Sequence, residues 1–417
     1  MDVDSPAVED AAGRRAAAIL GRMAGILELP LQPSARTPAR AGMLALILYS
    51  FAHFWIDLYA SALGALQPLL VEKLSLSLTQ AGLAGGVLIF SSSVTQPLYG
   101  YLSDRFHSRL FAALAPAVAG IFICSLGIAP TYGWVLLAVV LGGAGISSFH
   151  PQASARAAQG IASNRGKWFA IFISAGTLGM ALGPAIFSVG TRTLGMERLL
   201  WGALPGIVAS LLLLIMLPAT PAPTVAHRSR FDWAPLRAVW KPMTILYFLV
   251  FIRSIVQITF AQFLPLYLSR ERGFSLPNAN YTLSVYLTAG AIGGFIGGHL
   301  SDRFGGRNVI LASMIGSVPF LAVFFLTSGL PALLGLAMGG LILLFTIPVN
   351  VVMAQDLVPS QAGTVSALMM GFSWGMAGLI FIPLTGWVSD HVSMHVALFS
   401  LIAFPVFGFF LTLKLPK

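Results

Sequence analysis

Gly100-Tyr-Leu-Ser-Asp-Arg-Phe106 recurs as Gly298-His-Leu-Ser-Asp-Arg-Phe304, matching at six of seven positions at an offset of 198 residues. Leu76-Ser-Leu-Thr-Gln-Ala81 meets Phe274-Ser-Leu-Pro-Asn-Ala279 at the same offset, and Gly179-Met-Ala181 returns as Gly375-Met-Ala377 at 196. Coincidence accounts for one such match, hardly for three at nearly one spacing. The chain therefore reads as two copies of one unit in parallel order, with a substrate site expected where they meet near mid-depth.

What each copy contains follows from composition. Of 417 residues, 57% are hydrophobic and only 9% are charged. A soluble domain carries about 25% charged residues, so this chain cannot clothe an aqueous surface, which excludes a cytosolic enzyme, a nucleic-acid binder and a disordered scaffold. Apolar runs occur at 42–70, 80–102, 110–130, 132–155, 167–190, 198–218, 242–268, 278–300, 308–328, 331–355, 361–388 and 394–413. Each suits a helix crossing the hydrocarbon core, which needs about 20 residues. The predicted fold is an all-α membrane protein of twelve transmembrane helices in two six-helix repeats. Residues 41–218 form the first bundle, 219–241 a polar linker, and 242–417 the second bundle.

Charge sets the orientation. With both termini inside, 18 of the 24 Lys and Arg residues fall on the cytoplasmic side and five on the other, with Arg253 mid-span. The net charge of +10 is thus a topology signal and a contact with anionic lipid rather than with nucleic acid. Residues 1–40 open with Asp2, Asp4, Glu9 and Asp10 and contain no apolar run ahead of a cleavage site, so a secretory signal is not expected. They read as a disordered tail with a short membrane-surface helix near 19–27. The single cysteine, Cys124, excludes a disulfide framework and a cysteine metal site.

The repeated loop has its own chemistry. Glycine lets two helices approach, while Asp104, Arg105 and Arg109, with their counterparts Asp302, Arg303 and Arg307, offer charges that can pair across a helix contact that breaks and reforms. The loop resembles that of the major facilitator superfamily, and the resemblance implies that these six residues latch a cytoplasmic gate. A finer resemblance, to the fosmidomycin-resistance family, rests on several segments. They are Ala52-His53-Phe-Trp-Ile-Asp57, Gly145-x-x-x-Phe149-His150-Pro151, Ala354-Gln355-Asp356-Leu-Val-Pro359, Gly363-x-Val365-Ser366 and Gly371-Phe-x-Trp374-Gly-Met376-x-Gly378. It implies a proton-coupled exporter of small toxic compounds, with drug efflux and antibiotic resistance as the phenotype. Two departures stand out: Gln152 follows His150-Pro151 where a carboxylate is common in that family, and Gln361 replaces a basic residue. The first leaves His150 without an obvious acid partner. Gly179-x-x-x-Gly183-Pro184 resembles an antiporter motif, although such spacing also serves plain close packing.

Ionisable groups at bilayer depth are costly and mark function. His53 and Asp57 share a helical face with Tyr49 and Ser61. Arg253 and Gln257 share a face of the seventh run, which should face the first across the cavity and bring Asp57 within reach of Arg253. Burial and a nearby guanidinium act on a carboxylate's proton affinity in opposite senses, so relative motion of the halves would load and unload a proton. Asp57 and His53 are the expected proton-coupling residues, unless Asp57 and Arg253 form a merely structural ion pair. Arg253, Gln257, His150, Tyr49, Asn350, Phe149 and Trp374 are the expected substrate contacts. His150, just before the helix-kinking Pro151, could equally satisfy a freed backbone carbonyl, and Phe260 is a further aromatic candidate. No nucleophile–base pair, phosphate loop or metal-ligand spacing stands out, so neither an enzyme nor a cofactor is expected. The expected partners are a small-molecule substrate, protons and lipid, with no nucleic acid and no protein partner inferred. Import of a metabolite or organic anion by proton symport on the same fold is the alternative reading.

Overall fold

The computed structural model describes residues 38–106, 108–157, 165–217 and 234–415. The proposed surface helix at 19–27 lies outside them, as does most of the tail and of the linker. Among the described residues, twelve helices are long and apolar enough to span a membrane. They are α1 (Ala41–Leu74), α2 (Leu78–Ser103), α3 (Leu110–Ile128), α4 (Tyr132–Arg156), α5 (Trp168–Leu194), α6 (Leu199–Met216), α7 (Trp240–Glu271), α8 (Leu276–Phe304), α9 (Gly306–Leu326), α10 (Gly329–Leu357), α11 (Pro359–His391) and α12 (Met394–Thr412). Each falls on an apolar run read from the sequence. Large apolar side chains such as Phe295, 83% exposed, and Leu326, 73% exposed, point outward, as lipid-facing positions must.

The duplication is visible in backbone detail. The first helix of each copy ends in a left-handed residue, Ser75 at φ 50° and Gly273 at φ 70°. The next helix then starts from a serine cap: Ser77 Oγ accepts from Gln80 N at 3.1 Å, and Ser275 Oγ from Asn278 N at 3.4 Å. Such caps satisfy N–H groups that have no intrahelical partner. At the other end of the repeated loops, Arg109 donates to the Leu217 carbonyl and Arg307 to the Leu413 carbonyl at 3.1 Å. In both copies an arginine entering the third helix thus caps the C-terminal end of the sixth, where carbonyls are unpaired and the helix dipole is negative.

The two halves are clasped on the side away from the repeated loops. There Asp390, at the end of α11, reaches across to the start of α2. It accepts from Leu78 N and Thr79 N, both at 2.8 Å, and from Thr79 Oγ1 at 2.6 Å. Asn280 on α8 donates to the Ala65 carbonyl of α1 at 3.3 Å, and Ala185 N on α5 donates to Ser284 Oγ on α8 at 3.1 Å. Below Asp390 the backbones nearly touch: a Cβ on Gly386 would lie 2.2 Å from the Leu78 carbonyl oxygen, and one on Gly82 2.6 Å from that of Ile382. Only glycine permits this approach. Deeper still, α2 and α11 each contain a π-helical turn, Phe90–Val94 and Ala367–Phe372, and the two turns pack together.

Candidate functional site

The first half buries an acid between two imidazoles. His53 and Asp57 lie one turn apart on α1, with His53 Nε2 at 3.2 Å from Asp57 Oδ2. His150, on α4, places Nε2 at 3.5 Å from the other oxygen, Oδ1. His53 is held on three sides: Nδ1 is 2.9 Å from the Phe172 carbonyl, its ring stacks on Phe172 at 4.3 Å between centroids, and Phe149 lies at 5.8 Å. Phe149 in turn contacts Tyr49 at 6.4 Å, both deeply buried. Ser61, on the same α1 face, bonds to its own helix at the Leu58 carbonyl.

This arrangement constrains where a proton sits. The Phe172 carbonyl only accepts, so His53 Nδ1 must carry hydrogen. Nε2 then faces a carboxylate oxygen, and two lone pairs would repel. The contact is a hydrogen bond only when one proton resides on Nε2 or on Oδ2. The three ligand-type atoms of His53, Asp57 and His150 lie within 4.8 Å of one another, making this the one group among the described residues that also has the spacing of metal ligands. No sequence spacing marks it, because His150 comes from another helix.

Helix α5 seals the pair. A Cβ on Gly176 would sit 2.4 Å from His53 Nε2 and 2.5 Å from Asp57 Oδ2. Gly179 and Gly183 continue the ladder against Phe54 and Leu58 of α1, so the motif singled out in the sequence packs α5 onto the α1 face that carries His53 and Asp57. Gly176 escaped the sequence reading. Its signal was there, since glycines at 176, 179 and 183 lie on one helical face.

The second half holds a base without an acid. Arg253, 4% exposed on α7, donates through Nη1 to Gln257 Oε1 at 2.5 Å and through Nη2 to Ser254 Oγ at 3.3 Å. Its guanidinium lies 5.5 Å from the ring centre of Trp374 on α11, and Nε is buried without a partner. The expected Asp57–Arg253 ion pair is not formed in this conformation. Both carboxylate oxygens are taken by histidines of the first half, while Arg253 turns to groups on its own helix. The sequence reading therefore needs correction on two points: Arg253 is not paired with Asp57, and His150 does have an acid partner, Asp57, despite Gln152. Asn350 on α10 is fully buried, with both side-chain amide atoms unpaired, and Phe260 packs on Tyr286 at 5.9 Å.

Among the described side chains, no gate candidate pairs across the halves. The Asp104 side chain lies outside the described residues. Arg105 donates to the Tyr101 hydroxyl at 3.1 Å, Arg303 lies over Phe304 at 5.2 Å, and Asp302 is exposed. Arg109 and Arg307 make the within-half caps described above. Gln152 has a role the sequence did not suggest. It donates to Ser103 Oγ and, at 2.7 Å, to the Ser108 carbonyl, and accepts from Ala112 N at 3.1 Å. It thereby ties the repeated loop to α4 two residues from His150.

The family model of the Major Facilitator Superfamily matches residues 42–381. The fosmidomycin resistance protein of Escherichia coli (strain K12) is 30% identical over 391 residues, covering 91% of this chain and 94% of that protein. Among solved structures, a point mutant of the nucleoside transporter NupG superposes with a TM-score of 0.75 at 16% identity, over 90% of this chain and 100% of that one. A bacterial homologue of the human lysosomal transporter Spinster, in an inward-facing and occupied conformation, gives 0.74 at 16%, over 91% and 97%. With twelve spanning helices in two copies of one unit, and a family match over most of its length, the chain is a multi-pass membrane transporter rather than an enzyme, and it belongs to the major facilitator superfamily.

Proposed function

We propose that this protein is a proton-coupled antiporter of a bacterial cytoplasmic membrane, with both termini cytoplasmic, that expels a small anionic compound by alternating access. The observation that carries this reading is the separation of charge between the halves. An acid–imidazole contact that requires one proton is buried in the first half, and a guanidinium without an acid is buried in the second. A buried, unpaired cation is expensive unless an anion visits it, and a buried acid–histidine pair is a natural proton store. The likeness to a fosmidomycin resistance protein supports export of a toxic compound. Asp57 and His53 carry the proton, Arg253 with Gln257 and Trp374 meets the anion, and Asp104 and Asp302 with their arginines latch the cytoplasmic side when it closes.

The test is transport in proteoliposomes preloaded with fosmidomycin, with sided insertion checked and an acidic face imposed on the side of Asp390. Antiport predicts that the acid gradient speeds loss of the compound from the side of the repeated loops. Accumulation on that side would instead support the symport alternative, and indifference to the gradient would refute proton coupling.

A further inference from the structure

We propose that Tyr286 is the second anchor of the substrate's negative end, and that the site selects small molecules ending in an oxyanion (carboxylate, sulfonate or phosphonate) gripped by the second half alone. This rests on the reading above that the cargo is anionic.

A guanidinium has five N–H groups. Gln257 and Ser254 engage Nη1 and Nη2, while Nε is buried and unpaired. Among the described residues no carboxylate lies within 4 Å of Arg253. Trp374 lies against the group at 5.5 Å, so the partner that completes it approaches along the edge. An edge of two parallel N–H bonds matches two oxygens of one headgroup.

Tyr286 adds the second donor. It is fully buried on α8, its hydroxyl has no hydrogen-bond partner, and its ring packs on Phe260, about two turns along α7 from Arg253. Phenylalanine would fill that volume without burying an unpaired hydroxyl, which costs free energy for as long as it is unmet. Its position is fixed rather than adaptable: Gly340 makes room for the ring, since a Cβ there would lie 2.6 Å away, and Phe260 packs on it at 5.9 Å. Two buried donors with unmet hydrogen bonds, one of them charged, suit an acceptor that carries negative charge and more than one oxygen. The proton of Asp57 and His53 resides in the other half, so anion and proton occupy separate sites linked through the relative motion of the halves.

The experiment is equilibrium binding to the purified full-length protein in detergent, followed by tryptophan fluorescence and thermal shift. The probes are propylphosphonate, propanesulfonate, butyrate and neutral butyramide. Wild type should bind the three anions and not the amide, and Arg253→Gln should abolish binding. Tyr286→Phe should weaken all three anions by about tenfold or more, as loss of a hydrogen bond to a charged group does. Without probe, Tyr286→Phe should unfold at the same temperature as wild type or higher, since it sheds an unpaired buried hydroxyl. A merely structural hydroxyl would lower it. If anions bind and Arg253→Gln abolishes binding, but Tyr286→Phe stays within twofold of wild type, the assignment of Tyr286 fails and the anionic reading stands. If butyramide binds as well as butyrate, or no anion binds at tens of millimolar, both fail.

Discussion

Asp390→Ala is the perturbation whose size the structure defines most directly. The carboxylate accepts three hydrogen bonds from the start of α2, two from backbone N–H groups at 2.8 Å and one from Thr79 Oγ1 at 2.6 Å. Asp390 is exposed, so the freed groups turn to water and the full penalty for burying them unpaired does not apply. What is lost is a helix cap, about 1 kcal/mol, and the attraction of a carboxylate for a helix N-terminus, about 0.5–1 kcal/mol when exposed. The sum, about 1.5–2 kcal/mol, lowers the ratio of closed to open conformers on that side by roughly 10- to 30-fold. A population held at about 99:1 would relax to between roughly 10:1 and 3:1. Spin labels on cysteines at Glu72 and Val392, with the buried Cys124 replaced by alanine, would report this as a new long-distance component in pulsed dipolar spectra. Asp390→Asn, which keeps one acceptor oxygen, should fall between the two. An unchanged distance distribution in Asp390→Ala would show that the glycine-mediated contact of α2 with α11 closes this side by itself, and that the carboxylate is incidental.

Asp57→Asn should abolish pH-driven transport in proteoliposomes while permitting some substrate exchange, whereas concentration of substrate on a pH gradient alone by that variant would remove Asp57 from coupling. Gly176→Ala should force a methyl group into the His53–Asp57 contact, at the about 1–3 kcal/mol cost of overpacking. Its transport should lose pH dependence while anion binding in detergent holds, and an unaltered pH profile would count against that contact as the proton site. Asp302→Asn should slow turnover with binding affinity near that of wild type, and a large loss of affinity with unaltered conformational exchange would contradict its role as a latch. Reporter fusions after residues 230 and 417 should both report cytoplasm, and a signal from the opposite side at either would overturn the topology.

Periodicity and composition were enough for the architecture, because solvent dictates it. A bilayer tolerates little besides apolar helices of fixed length, so hydropathy alone located all twelve, and a loop repeated at 198 residues declared the duplication. The candidate site was legible only in part. His53, Asp57 and Arg253 stood out because charge at membrane depth is rare, and this is a property of single positions. Which charge meets which is not. The sequence suggested an Asp57–Arg253 pair across the halves, yet Asp57 spends both oxygens on His53 and His150, and His150 lies 93 residues away on another helix. Asp390 and Tyr286 were silent for the same reason: a terminal acid and a tyrosine are ordinary in an apolar chain until packing sets them against a particular partner. One-dimensional pattern records the medium a residue must face. The neighbour it meets depends on how helices cross, and that depends on close contacts among side chains distant in sequence.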